Sequence, residues 1–245
     1  MVSRWASSAI WWRCRSRSER TGVIDLYCER MGPGPLAEPL NVLSNGAFAV
    51  AAWWLWQRAR RGDGESAPPD PGLLALAGLA LAIGVGSSLF HTWATSWALL
   101  ADVVPILLFQ LLVLLLYLRR RVGCAAAPAA GLCLAFLLAC LAGRAFPAVL
   151  NGSLAYGPTL GVLALLAWHQ HRGGEPPTFG WAFALFGLSL LLRTVDQALC
   201  PLWPIGTHLF WHLLNAAVLV LSGMALERGH QRSGRNNGTI HAGRR

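Results

Sequence analysis

Five polar side chains sit at positions where the surrounding sequence is almost wholly apolar. Gly86-Ser87-Ser88-Leu89-Phe90-His91 places Ser87 and His91 four residues apart, on one face of a helix. Asp102 follows His91 after a short turn, near the start of the next apolar stretch, which returns it to a similar depth. His208 and His212, in Gly206-Thr207-His208-Leu209-Phe210-Trp211-His212, again stand at i and i+4, a spacing that offers two imidazoles to one metal. Apolar surroundings keep imidazoles neutral, and zinc readily takes three of them with a fourth position open to water. A further polar group is the lead-in Asp25-Leu26-Tyr27-Cys28-Glu29-Arg30, followed by Glu38, Asn41 and Asn45.

Each feature has a plainer reading. A lone histidine in a membrane helix is more often a packing hydrogen-bond donor than a ligand, and an H-x-x-x-H pair alone is ambiguous. Three histidines and an aspartate at matching depth are harder to assign to packing, because an ionisable group there costs about 2.5–3.5 kcal/mol on insertion scales. His169 and His171 read as loop residues at the end of an apolar stretch, and His230 and His241 as parts of a polar tail. Arg193 and Asp196 are expected to pair locally and order the loop before the last apolar stretch. Cys124, Cys133 and Cys140 read as small apolar groups, and Cys14 has no assigned role.

The elements that must carry these residues follow from composition. The chain is 55% apolar and only 13% charged, about half the charge of a soluble domain, so the bilayer is the expected solvent. Seven apolar segments, at approximately 41–57, 72–92, 98–118, 125–143, 153–169, 179–195 and 206–226, predict an all-α, seven-helix membrane bundle. All 20 basic residues are Arg, which suggests a GC-rich gene and a bacterial inner membrane. Their clusters between segments (Arg58, Arg60 and Arg61; Arg119 to Arg121; Arg172; Arg228, Arg232 and Arg235) put the C-terminus in the cytoplasm and the start of the first segment outside. The arginines form no basic face interleaved with stacking aromatics, so nucleic acid is not an expected partner, and no obligate protein partner is evident. Residues 1–22 are expected to be a basic, poorly ordered extension lacking the apolar core of a signal peptide. The membrane domain spans 23–226, and 227–245 form a polar cytoplasmic tail.

G-S-x-x-F-H, an Asp eleven residues after that His, D-x-x-x-C at Asp196 and Cys200, and H-x-x-W-H at His208 to His212 together resemble the alkaline ceramidase family. The lead-in Tyr27-Cys28-Glu29-Arg30, with E-P-L-N-x-x-S-N from Glu38, resembles that family's N-terminal motif. The match runs from about residue 24 to 220, and related folds include the adiponectin and progestin receptor-like proteins. The resemblance implies zinc on His91, His208 and His212, with Asp102 and Ser87 completing the site. It also implies a calcium site on the lead-in, for which Asp25, Glu29 and Glu38 are the candidates. Asp25 is displaced by one residue from the family pattern, and Met31 stands where an Asn ligand is expected. Finally, it implies a disulfide between Cys28 and Cys200, compatible with an oxidising outer compartment.

Zinc on three neutral histidines lowers the pKa of a water from about 15.7 towards about 7 and polarises a carbonyl. Asp102 would then serve as proton acceptor and donor, and Ser87 would support the developing oxyanion. The expected activity is hydrolysis of ceramide or a related N-acyl lipid, entering from the surrounding membrane lipid. The alternative is a receptor-like lipid sensor with a structural zinc. A transporter fits less well, since the ionisable residues share one depth and no inverted repeat is visible.

Overall fold

In hydrocarbon a helix satisfies every backbone amide internally, and the computed structural model is helical through each apolar stretch. It describes residues 23–61 and 68–241, with side chains through residue 227. The expectation for residues 1–22 lies outside the described residues. The elements are α1 (Pro39–Ser44), α2 (Gly46–Arg60), α3 (Pro71–Trp93), α4 (Ser96–Arg120), α5 (Ala126–Arg144), a 3-10 segment (Val149–Tyr156), α6 (Gly157–Arg172), α7 (Thr178–Leu199) and α8 (His208–His241). Among the described residues there is no strand.

Six stretches are long and apolar enough to cross a membrane: α3, α4, α5, the 3-10 segment with α6, α7, and the His208–Glu227 part of α8. By length and composition the chain is an integral membrane protein. The first expected segment is built differently. It is divided into the 6-residue α1 and the 15-residue α2, joined at Asn45, whose backbone stays right-handed (φ −64°, ψ −18°). Alone, α2 rises only about 22 Å, short of a hydrocarbon core of about 30 Å. The fifth segment also departs from expectation, beginning at Val149 in a 3-10 turn where Leu150, Asn151 and Gly152 are left-handed. Past residue 227 the backbone of α8 remains helical to His241, through residues read from the sequence as a polar tail.

Each helix packs on its chain neighbours, and α8 returns to α2, so the bundle closes into a ring. Its core includes Phe48, Leu55, Leu76, Ile83, Phe109, Phe179 and Trp211. Large apolar side chains such as Leu81, Leu165, Trp181 and Leu191 point outward, as a lipid-facing surface requires.

One end of the ring is fastened by charge. Asp70 caps α3, accepting from the backbone N–H of Gly72 (2.7 Å) and Leu73 (3.2 Å), with Pro71 pre-set for the first turn. Both Asp70 oxygens also take the Arg120 guanidinium, at 2.7 and 2.9 Å. Arg58 bonds Glu227 at 3.0 Å, and Arg121 pairs with Glu175. Arg58, Arg60 and Arg172 lie over Trp54, Trp56 and Trp168. His169 belongs here too. The loop reading is corrected, because it sits in the last turn of α6 with Nδ1 2.8 Å from the Tyr117 hydroxyl. Cys133 and Cys140 pack in a small apolar cluster between α4 and α5, beside Cys124.

At the opposite end a proline and a glycine work together. Pro105 lies inside α4 and has no N–H, so the Ala101 carbonyl loses its helical partner. Gly86 of α3 packs against that carbonyl, and a Cβ there would overlap it. The close approach sets Ser87 beside Asp102.

Candidate metal centre

His91 in the last turn of α3 and His208 and His212 in the first turns of α8 converge, with one ring nitrogen of each within 4.8 Å of the others. All three are buried, at 0%, 2% and 1% exposure. The Nε2 atoms of His91 and His212 are 3.2 Å apart.

The hydrogen-bond network assigns the proton positions. His91 Nδ1 is 2.5 Å from a Glu38 carboxylate oxygen, which can only accept, so the proton sits on Nδ1. His212 Nδ1 is 2.7 Å from Ser44 Oγ, whose own proton goes to the Asn41 carbonyl. His212 therefore donates from Nδ1 as well. With both rings neutral, as a metal requires of imidazole ligands, both Nε2 atoms carry lone pairs and face one another. That arrangement is repulsive unless a cation sits between. Two nitrogens about 2.0–2.1 Å from a tetrahedral zinc stand about 3.3 Å apart, close to the observed spacing. Among the described residues, His208 Nδ1 has no hydrogen-bond partner and is buried. The three buried imidazoles could hold a metal ion.

Ser87 Oγ lies 3.4 Å from His212 Nε2 and also engages the Asp102 carboxylate. All five residues expected at this centre are brought together.

The α8 histidines are set by Asp196 and the lead-in. Asp196 is fully buried and accepts from the N–H groups of Thr207 (2.6 Å), His208 (3.0 Å) and Cys28 (2.9 Å). It thereby satisfies the first donors of α8. Gly206, at φ 73°, makes the turn into α8, and a Cβ there would strike Asp196 and Cys28. Cys28 and Cys200 form a disulfide with Cα atoms 5.3 Å apart. Tyr27 stacks on His208, with ring centroids 3.5 Å apart. Burial pushes the Tyr27 hydroxyl well above its ordinary range.

The local Arg193–Asp196 pair does not form. Asp196 is taken by backbone donors, while Arg193 donates to the Asn151 carbonyl and Ser153 Oγ, both at 2.9 Å. Its guanidinium lies within 6.0 Å of the rings of Tyr27, Tyr156 and Trp211.

The lead-in carboxylates do not fit calcium, which takes six to eight oxygen ligands. The Glu29 oxygens accept from the N–H groups of Leu40 (2.6 Å) and Asn41 (2.8 Å), at the start of α1. Burial raises the Glu29 carboxyl above its usual range despite those bonds. Glu38 is taken by His91, Arg30 and Asn41. Burial alone would raise the Glu38 carboxyl, but these partners outweigh it and hold it below the carboxylate range. Asp25 is exposed.

Ser44 and Tyr27 are site residues to which the sequence assigned no role, and Arg30, whose plainer reading with Glu29 was a solvated loop pair, is instead buried against Glu38. Ser44 and Tyr27 stand within the quoted lead-in motifs, which was their only signal. The chain matches no protein-family model and no curated protein.

Proposed function

We propose that the chain is an intramembrane zinc-dependent amidohydrolase that cleaves ceramide or a related N-acyl lipid to a fatty acid and an amine. The observation that carries this reading is the convergence of the buried His91, His208 and His212 nitrogens, with the Nε2 atoms of His91 and His212 facing one another and Ser87 and Asp102 beside them. Three imidazoles favour zinc over the oxygen-seeking cations. When bound, zinc supplies Lewis acidity and acidifies water at the site.

The protein's own groups perform the rest. Asp102 accepts a proton from the attacking water and delivers it to the departing amine nitrogen as the C–N bond breaks. Ser87 donates a hydrogen bond to the oxygen on which charge develops. Tyr27 and the disulfide-tethered lead-in cover the centre from the end of the ring.

A mostly apolar cavity inside the ring supports a lipid substrate. It begins one turn below the centre, where Ile83, Ile106 and Asn215 follow the helices of Ser87, Asp102 and His212, and continues past Val113, Leu163 and Val218. An acyl chain lying there presents its amide at the depth of the histidines. Asp102 favours hydrolysis over sensing, since a purely structural zinc needs no base.

In this reading α1 and α2 make a seventh crossing and the metal end faces outward. The charge-fastened, Arg-rich end is then cytoplasmic. The all-Arg usage supports a bacterial inner membrane. The test is a lipid-amide panel run on purified protein with and without chelator, beside zinc analysis. One zinc per chain and chelator-sensitive fatty-acid release are expected; undiminished release from metal-free protein would refute the mechanism.

A further inference from the structure

Arg30 turns its charge inward: the side chain is only 2% exposed, under the lead-in. Nε donates to Glu38 Oε1 at 2.5 Å, Nη2 to the His91 carbonyl at 2.7 Å, and Nη1 to the Gly32 carbonyl at 3.4 Å. The other Glu38 oxygen accepts from His91 Nδ1 (2.5 Å) and Asn41 Nδ2 (2.9 Å). The His91 carbonyl belongs to the last turn of α3, where helical partners run out. His91 is thus held at both ends, its ring through Glu38 and its backbone directly, and both lines meet at one guanidinium.

We propose that Arg30 is the resident cation of the lead-in, filling the place a divalent ion would otherwise take and positioning His91 through Glu38. An ionised carboxylate buried as deeply as Glu38 is strongly disfavoured without a counter-charge. Arg30 supplies that charge permanently, because a guanidinium keeps its proton. Its planar fork reaches Glu38 and the His91 carbonyl together from fixed donor positions. A dication brought to the same carboxylates would meet the guanidinium and would have to displace N–H donors from Glu38 and Glu29. The lead-in therefore works without calcium. The positioning role, though not the exclusion of calcium, rests on the reading of the three histidines as a metal site.

The experiment uses the full chain in detergent, stripped of divalent ions, with two readouts: thermal melting with and without calcium, and visible absorption on titration with cobalt. Wild-type melting should not move at about millimolar calcium, a level that fills weak calcium sites. Arg30→Gln should bind cobalt about 10–100-fold more weakly, the usual effect of losing a partner behind a metal ligand. Arg30→Lys should stay calcium-insensitive while recovering only part of the cobalt affinity. Arg30→Glu, which adds a third carboxylate beside Glu29 and Glu38, should make melting calcium-dependent. A wild-type melting point that rises with calcium overturns the proposal, as does an Arg30→Gln protein with unchanged cobalt affinity and spectrum. If Arg30→Gln does not fold, the wild-type calcium melts and Arg30→Lys still decide. No cobalt band in wild type would overturn the metal-site reading and the positioning role with it, leaving the calcium melts to decide the resident cation.

Discussion

His91 Nε2 and His212 Nε2 face each other at 3.2 Å, and in the neutral, metal-binding form each ring holds its proton on the far nitrogen, against Glu38 and Ser44. The partners that fix those protons, Glu38 and Ser44, are as much a part of the centre as the imidazoles themselves. Ser44→Ala removes the acceptor behind His212 and frees the ring to change tautomer. Zinc affinity should fall by about 10–100-fold, whereas His212→Ala should lose the metal and the hydrolysis together. Competition with a chromophoric chelator measures both. Equal affinity in Ser44→Ala and wild type would dismiss the tautomer assignment.

Asp102→Asn keeps size and the Ser87 contact but abolishes the base. Zinc content should stay unchanged while fatty-acid release drops by about 10²–10⁴-fold. A variant that also loses zinc would show Asp102 to be a ligand and not a base.

Gly86 has no room for a side chain. In Gly86→Ala the new methyl meets the Ala101 carbonyl that Pro105 leaves unbonded, so α3 and α4 must separate. Overpacking of this kind costs about 1–3 kcal/mol. A displacement of about 1 Å between Ser87 and Asp102 should cost about 10²-fold in turnover. A melting curve paired with turnover checks this, and wild-type values for both would contradict the described packing.

Acid should loosen the opposite end first. Burial tends to raise the Asp70 carboxyl, but the Arg120 bonds and charge and the Leu73 and Gly72 N–H groups lower it overall. A depressed folded pKa means the stabilisation is present above the unfolded value of about 3.9 and is lost as pH falls through the folded value. The Asp70 and Arg120 side chains keep 15% and 22% of their surface exposed, so after screening the pair is worth about 1 kcal/mol or less. Melting of wild type should therefore fall more steeply than that of Asp70→Asn below about pH 4. Parallel curves would remove Asp70 from the account.

The three histidines were legible because ionisable groups in an apolar stretch are anomalous wherever they fall, and an i, i+4 pair needs only helix geometry. The helical stretches were legible from length alone, apart from the division at Asn45 and the left-handed start at Leu150. The supporting residues were hidden for a physical reason. Ser44 meets His212 across 168 positions and Arg30 meets the His91 carbonyl across 61, and no local spacing encodes such contacts. Arg193 and Asp196 misled in the opposite way. Their proximity in sequence suggested mutual pairing, yet each had a better partner elsewhere: backbone N–H groups for Asp196, and the 3-10 segment with its aromatic neighbours for Arg193.

The disulfide closes a loop of 172 positions, joining the lead-in to the turn that opens α8. During synthesis the lead-in emerges long before its partner cysteine. Two of the three histidines follow that cysteine directly, in the first turns of α8. A nascent chain therefore holds neither a latched cover nor a competent trap for metal. In the proposed reading, capture of the ion and locking of the cover both wait for the turn into α8, and a product terminated before it is left inert.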